Sequence, residues 1–383
     1  MKVKKMLKNS LIIVPFQLPW DRPADFQRQT CLELAKKNLV VAYLHNDARF
    51  FLKPRPVKKL PKHRNLIFYQ PRYIIPLRRL TLIEKLNQLL NLWYLLVRYG
   101  RGRERSILWL FDPAFWFYPR LKSVFAKLIS LYDCVDYVWH RSTSMKKKLQ
   151  AQEKQLIKNV DYFFVNSQVL AKLHSPTRQP TAIMPQGFRL KDFKKPKPAK
   201  VKFLQNKPII GYVGALDHRL DFKLLQKLIK NNPQWLFVLW GPVREEGPAI
   251  LEKTKKAVDK IRALPNIIIG KSTDRREVPS IIKQFDVCII PYDTKLASVR
   301  YSYPMKLFEY FYLGKPVVSA PLPALASFKS VIRPKNTANE WQSQIKKLLN
   351  SPWPTKNKRV QRQLATANSW KQKIATISDT IKK

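Results

Sequence analysis

Twelve short apolar runs, many of them continuous, punctuate this chain, and longer stretches of helical periodicity separate them. In the first half they fall at 11–16, 39–44, 66–69, 107–111, 129–132, 162–165 and 181–184; in the second, at 209–213, 235–240, 267–269, 287–291 and 316–319. A strand that is apolar throughout must be covered on both faces, as in a parallel sheet flanked by helices. Strand–helix alternation implies βαβ units. The series breaks at 191–202, KDFKKPKPAKVK, which is rich in lysine and proline and has no apolar period. It reads as a linker. The expected fold is α/β: two doubly wound, Rossmann-like domains facing a cleft, with ligands at the carboxyl ends of the strands. The domains run over 1–190 and 203–355, and 356–383 is a C-terminal helical segment, either a solvated tail or a helix packing back on the first.

Charge restricts the partners. Lysine and arginine number 73 against 25 acidic residues, a net of +48. Such a chain is drawn to polyanions, whether an anionic membrane, phosphorylated substrates or nucleic acid, unless the charge only reflects a lysine-rich proteome. Residues 49–105 concentrate it, with 15 basic residues against 2 acidic ones. Phe50, Phe51, Phe68, Tyr69, Tyr73, Trp93 and Tyr94 are mixed among them. That mixture suits a membrane interface or single-stranded nucleic acid. With no nucleic-acid motif present, the membrane is favoured and no nucleic acid is expected. Core aromatics under a generally basic surface would read the same way. The longest weakly charged stretch, 86–97, is too short to span a bilayer. Cys31, Cys134 and Cys288 are widely spaced and read as buried free thiols, in keeping with a reducing cytosol. The expected location is cytoplasmic, peripheral on the inner membrane face.

The most informative segment is 300–321, RYSYPMKLFEYFYLGKPVVSAP. Met305, Leu307, Phe308, Phe311 and Tyr312 give a helical apolar pattern, and Gly314 stops it. Pro304 suits the first turn. Lys306 and Glu309 lie on one face, either as a surface pair or as a ligand site. A helix start attracts phosphate, Lys306 adds a charge there, and a carboxylate at Glu309 suits two adjacent hydroxyls.

This segment resembles the donor-site helix of GT-B glycosyltransferases, in particular family 4 and its relatives in bacterial envelope polysaccharide synthesis. Pro304, Lys306, Glu309 and Tyr310 fit a P-x-K-x-x-E-Y version of it. The resemblance implies that Glu309 contacts the nucleotide ribose and that Tyr301 stands where a glutamate usually contacts the donor sugar. The run 209–214, IIGYVG, is similar to the first strand and turn of the family's donor domain, so the Gly214 backbone approaches the donor phosphates. Ala215 replaces the usual arginine. Arg219 falls near a second cation, or is a solvated loop residue. The sequences FVLWGP at 237–242, LPNIIIGK at 264–271 and FDVCIIPY at 285–292 follow in the family's order, and the base is expected beside Gly270 and Lys271.

The first domain resembles the family less closely. YDCVD at 132–136 looks like a strand ending near ligands, which makes Asp136 and His140 candidates to face the reacting sugar. A strand-end cap and a surface histidine are the alternatives. The loop at 20–28, WDRPADFQR, is similar to the acceptor-side loop of the polysaccharide subgroup, with Arg22 and Arg28 toward an acceptor phosphate; a capped helix start is the other reading.

The resemblance thus implies a retaining transferase without cofactor or metal. It would move a sugar from a nucleotide-diphosphate sugar to a hydroxyl of a glycan or lipid-linked acceptor, with Arg219 and Lys306 neutralising the leaving diphosphate. The alternative is a non-catalytic, basic polyanion-binding protein on the same fold.

Overall fold

The structure, a computed structural model, describes residues 9–16, 20, 26–44, 63–72, 74–75, 80–138, 146–203, 206–244 and 248–381. The chain forms two compact units: Met1–Gln186 with Trp370–Lys383, and Gly187–Ser369.

The first unit holds a seven-stranded parallel sheet built from β1 (Leu11–Pro15), β2 (Leu39–Tyr43), β3 (Leu66–Tyr69), β4 (Ser106–Leu110), β5 (Leu128–Cys134), β6 (Tyr162–Val165) and β7 (Ala182–Ile183). Their order is β3-β2-β1-β4-β5-β6-β7. All five residues of β1 are buried, as a strand covered on both faces requires. The helix Trp370–Ile381 completes this unit: Ile374, Ile377 and Ile381 join a core containing Ile12, Cys31 and Leu34. Lys373 on the same helix donates to Asp133 of β5 at 3.0 Å, and both residues are buried.

The second unit repeats the plan with six strands: β8 (Ile209–Val213), β9 (Leu236–Trp240), β10 (Ile267–Gly270), β11 (Val287–Ile290), β12 (Val317–Ser319) and β13 (Arg333–Pro334). Their order, β10-β9-β8-β11-β12-β13, reverses direction between β8 and β11. That reversal is a topological switch point, where doubly wound sheets bind ligands at the strands' carboxyl ends. All twelve apolar runs of the sequence are strands. The thirteenth, β13, is two residues of mixed polarity whose extended form comes from pairing with β12.

Two segments differ from the sequence expectation. Residues 191–202 are packed onto the second unit: Phe193 is buried in its core, Lys197 pairs with Asp274 at 2.7 Å, and the Lys197 carbonyl accepts from Ser280 at 2.7 Å. Residues 356–383 are not one helix. The helix Thr355–Ala367 belongs to the second unit, where Gln361 donates to the carbonyls of Lys315 and Val331 at 2.9 and 3.1 Å, while Trp370–Ile381 belongs to the first.

Candidate functional site

The carboxyl ends of β8 and β11 carry a compact group of cations and phenols. Gly214 follows β8 at φ +151°, a conformation that favours glycine. Its amide donates to the Trp240 carbonyl at 3.0 Å, closing the turn. A Cβ on the neighbouring Gly241 would lie 2.0 Å from the Gly214 carbonyl oxygen, so two glycines let these turns touch. The missing Cβ of Gly214 leaves room for Lys306, whose Cε and Nζ would stand 2.9 and 3.2 Å from it.

Lys306 opens the helix Lys306–Tyr312. Its ammonium donates to the Tyr292 hydroxyl and lies 4.7 and 4.6 Å from the ring centres of Tyr212 and Tyr292. Among the described residues it has no carboxylate partner. Such a cation is held in place by aromatic faces without being neutralised. Burial alone would raise the Tyr292 phenol, but Lys306 and Arg219 outweigh it and hold it below the usual value. The guanidinium carbon of Arg219 is 5.6 Å from the same ring. The loop carrying Arg219 is pinned over β11, where the Arg219 carbonyl accepts from Asp293 at 2.8 Å. Tyr292 thus brings together the two cations that the sequence nominated. Arg219 is already committed: its Nε donates to Asp217 Oδ1 at 2.9 Å and its Nη2 to Oδ2.

The helix itself is short and firmly tied. It ends in a Schellman motif: Gly314 (φ +65°) donates to Phe311 at 2.9 Å and Lys315 to Tyr310 at 3.1 Å. The Tyr310 hydroxyl accepts from the Val213 amide at 3.0 Å, fixing the helix to the end of β8. Pro304 lies before the N-cap residue Met305, outside the first helical turn, and its carbonyl accepts from Leu307 at 3.1 Å. Glu309 and Lys306 do not pair. Glu309 is buried and accepts from Arg275 through Oε1, while no described residue donates to its Oε2. Tyr301 is half-buried at the end of the helix Ala297–Arg300.

Gly270 ends β10 beneath the ring of Trp240; a Cβ there would come within 2.0 Å of it. Its glycine therefore serves packing. Lys271 is exposed. A cavity of about 670 Å³ lies among Lys197, Lys200, Trp240, Thr273 and Asp274. The indole N–H of Trp240 is buried without an acceptor among the described residues.

In the first unit, Asp136 is exposed just beyond β5, and its Oδ1 accepts from the Tyr137 amide at 2.9 Å. Arg28 is half-buried on the helix Phe26–Leu34. His140 and Arg22 lie outside the described residues. The sequence reading missed Tyr212 and Tyr292 as the seat of Lys306, Asp217 as the anchor of Arg219, and Arg275 as the partner of Glu309. Asp217 stands two residues before Arg219, a spacing that invites a local pair. The others come from distant segments and leave no signal at that range.

Residues 193–365 match the family described as Glycosyl transferases group 1. A Bacillus subtilis protein named for a glycosyltransferase role in teichuronic acid biosynthesis, TuaH, is 27% identical over 242 residues, which are 59% of this chain and 58% of that protein. The match therefore spans little more than half of the relative. Among solved structures, sucrose-phosphate synthase from Thermosynechococcus elongatus superposes with a TM-score of 0.72 at 16% identity, covering 98% of each chain. Anabaena HepE in complex with UDP gives 0.69 at 12% identity, covering 98% of this chain and all of HepE. These likenesses establish the fold, while the family match lies within the unit that holds the Gly214–Tyr292–Lys306 group. The chain has the two-domain GT-B fold, and its residues 193–365 match the glycosyl transferases group 1 family.

Proposed function

We propose that this protein is a glycosyltransferase that moves a sugar from a nucleotide-diphosphate donor to a hydroxyl of an envelope glycan or lipid-linked acceptor. The observation carrying this reading is Lys306: an ammonium with no carboxylate partner among the described residues, seated on two phenol rings beside Gly214 at the switch point of the donor-type sheet. A diphosphate placed there meets a half-buried cation, which stabilises charge as it builds on the leaving group. Arg219 adds a second positive charge, tempered by Asp217. Glu309 Oε2, to which no described residue donates, suits a ribose hydroxyl. The cavity beside Trp240 and Thr273 is the candidate seat of the base. We assign Tyr301 to the donor sugar, Asp136 and His140 to the reacting sugar, and Arg22 and Arg28 to an acceptor phosphate. The reaction is proposed as retaining and independent of metal, with the leaving charge carried by side chains. HepE, a structural neighbour, was solved with UDP and with UDP-glucose, which makes uridine diphosphate the first donor to test.

An anionic membrane surface is the proposed site of work. Among the described residues, Leu80, Leu82, Leu86, Trp93, Tyr94 and Val97 are exposed within one short segment. Leu82, Leu86, Trp93 and Val97 recur at intervals of 4, 7 and 4 along the helix Thr81–Gly100, which puts them on one face. Lys85 and Arg98 on this helix, with Arg101 and Arg103 just beyond it, add positive charge to the segment. No described helix is long and apolar enough to cross a membrane. The proposed location is the cytoplasmic side, where the three buried cysteines stay reduced.

Calorimetric titration with uridine, guanosine and adenosine diphosphates, followed by assay for donor hydrolysis, tests the enzyme reading. Unchanged nucleotide binding in both Lys306→Ala and Glu309→Ala would remove the site assignment. Flotation with phosphatidylglycerol vesicles tests the membrane reading: wild type floats at low salt and Leu86→Ser with Trp93→Ser floats less. No flotation at low salt would reject it.

A further inference from the structure

The first unit contains a second chemical cluster, remote in sequence from the donor-site residues. Cys134 ends β5, Glu153 lies in the helix Lys146–Asn159, and His174 ends the helix Gln168–His174. All three are buried, with relative exposures of 0, 1 and 3%. Their ligand atoms form a nearly equilateral triangle: Cys134 Sγ is 3.7 Å from His174 Nε2 and 3.7 Å from Glu153 Oε1, and Nε2 is 3.8 Å from that oxygen.

We propose that Cys134, Glu153 and His174 bind one divalent ion of the zinc class and so clamp β5 to the two helices. The geometry carries it. A point equidistant from the three atoms lies about 2.2 Å from each, against zinc bond lengths of about 2.3 Å to sulfur and 2.0–2.2 Å to nitrogen and oxygen. The donor set, one thiolate, one imidazole and one carboxylate, is the mixture zinc prefers over magnesium or calcium. One thiolate and one carboxylate also balance a double positive charge among buried side chains. The Tyr132 hydroxyl donates to the ligating oxygen of Glu153, the outer bond that orients a metal-bound carboxylate. The ring of Phe163 stands edge-on to His174 at 5.7 Å and closes that side. The Asp136 carbonyl oxygen, 3.6 Å from Sγ, is the candidate for the fourth position. On binding, the Cys134 thiol gives its proton to solvent and its sulfur pair to the metal. Because the site is closed, the ion enters as the unit folds, and its role is to hold three elements together.

The test uses the full chain, purified without metal-affinity steps, with its metal content measured by plasma mass spectrometry. The expected result is near one zinc per chain, falling about tenfold or more in Cys134→Ser and in His174→Gln. A second measurement does not depend on the folding of variants. Wild type refolded in cobalt(II) should show the thiolate-to-cobalt charge-transfer absorption and melt higher than protein refolded with chelator. Wild type that carries no zinc, gives no such band and melts at the same temperature with or without metal overturns the proposal. UDP binding is not a readout here, so the two sites fail or stand separately.

Discussion

The carbon that Gly214 lacks would sit 2.9 Å from Cε of Lys306, so the smallest residue of the β8 turn sets where the strongest donor-site candidate can rest. Gly214→Ala pays twice, through the positive φ and through displacement of the lysine stem. We expect a stability loss of about 1–3 kcal/mol. We also expect UDP affinity at least about tenfold weaker, which corresponds to about 1.4 kcal/mol. Urea unfolding and calorimetry separate the two effects. Full affinity in a folded variant would show that Lys306 does not hold the diphosphate.

Lys306→Ala should behave differently. It removes one charge from a seat made of phenol rings and leaves no buried carboxylate behind. The melting temperature should stay nearly constant while UDP binds about 10–100-fold more weakly, the cost of a hydrogen bond to a charged group. The Tyr292 phenol should titrate at higher pH in this variant, because one of the two cations holding it down is gone and burial raises it. Ultraviolet difference spectra across the alkaline range report that shift.

Arg275→Ala strands a buried carboxylate. Glu309 has 6% side-chain exposure, and Arg275 is the donor to its Oε1. The expected cost is about 1–3 kcal/mol, measured as a fall in the urea midpoint. Arg275→Ala combined with Glu309→Gln should recover part of it, since the neutral amide costs less to bury.

Lys373→Ala breaks the buried pair with Asp133 and should cost about 3–5 kcal/mol. The deficit has a pH signature. Burial raises Asp133 and Lys373 works against that shift, so removing the lysine raises the folded-state value further. A carboxyl raised on folding stabilises most below its unfolded value, about 3.9, and that contribution is lost as pH rises through the folded value. The mutant should therefore approach wild type in acid and fall away toward neutral pH. Chemical denaturation at stepped pH gives the curve.

Many of the strands were readable because an apolar run declares that both its faces are covered; Leu11–Pro15 and Val287–Ile290 need no partner to be recognised. Arg333–Pro334 fails that test, since its extended form is imposed by β12. Gly314 as a helix stop was readable for a local reason, the positive φ that follows the last turn. The partners of the site residues were not. Lys306 and Glu309 share a helix, and spacing alone pairs them, yet Tyr292 and Arg275 arrive from other loops and win. The triangle of Cys134, Glu153 and His174 is hidden for the same reason: its members are 19 and 21 residues apart, outside any local metal motif.

The placement of Trp370–Ile381 also bears on synthesis. On the ribosome, the first 186 residues emerge long before the helix that supplies Ile374, Ile377, Ile381 and the Lys373 countercharge. The nascent first unit must wait, with Asp133 uncompensated and one flank of its core open, while the intervening 183 residues are made and fold. It is then a segment translated after the second unit that seals the first one, so ribosome-stalled chains ending before Trp370 should stay sensitive to protease in their amino-terminal half long after the middle has become resistant.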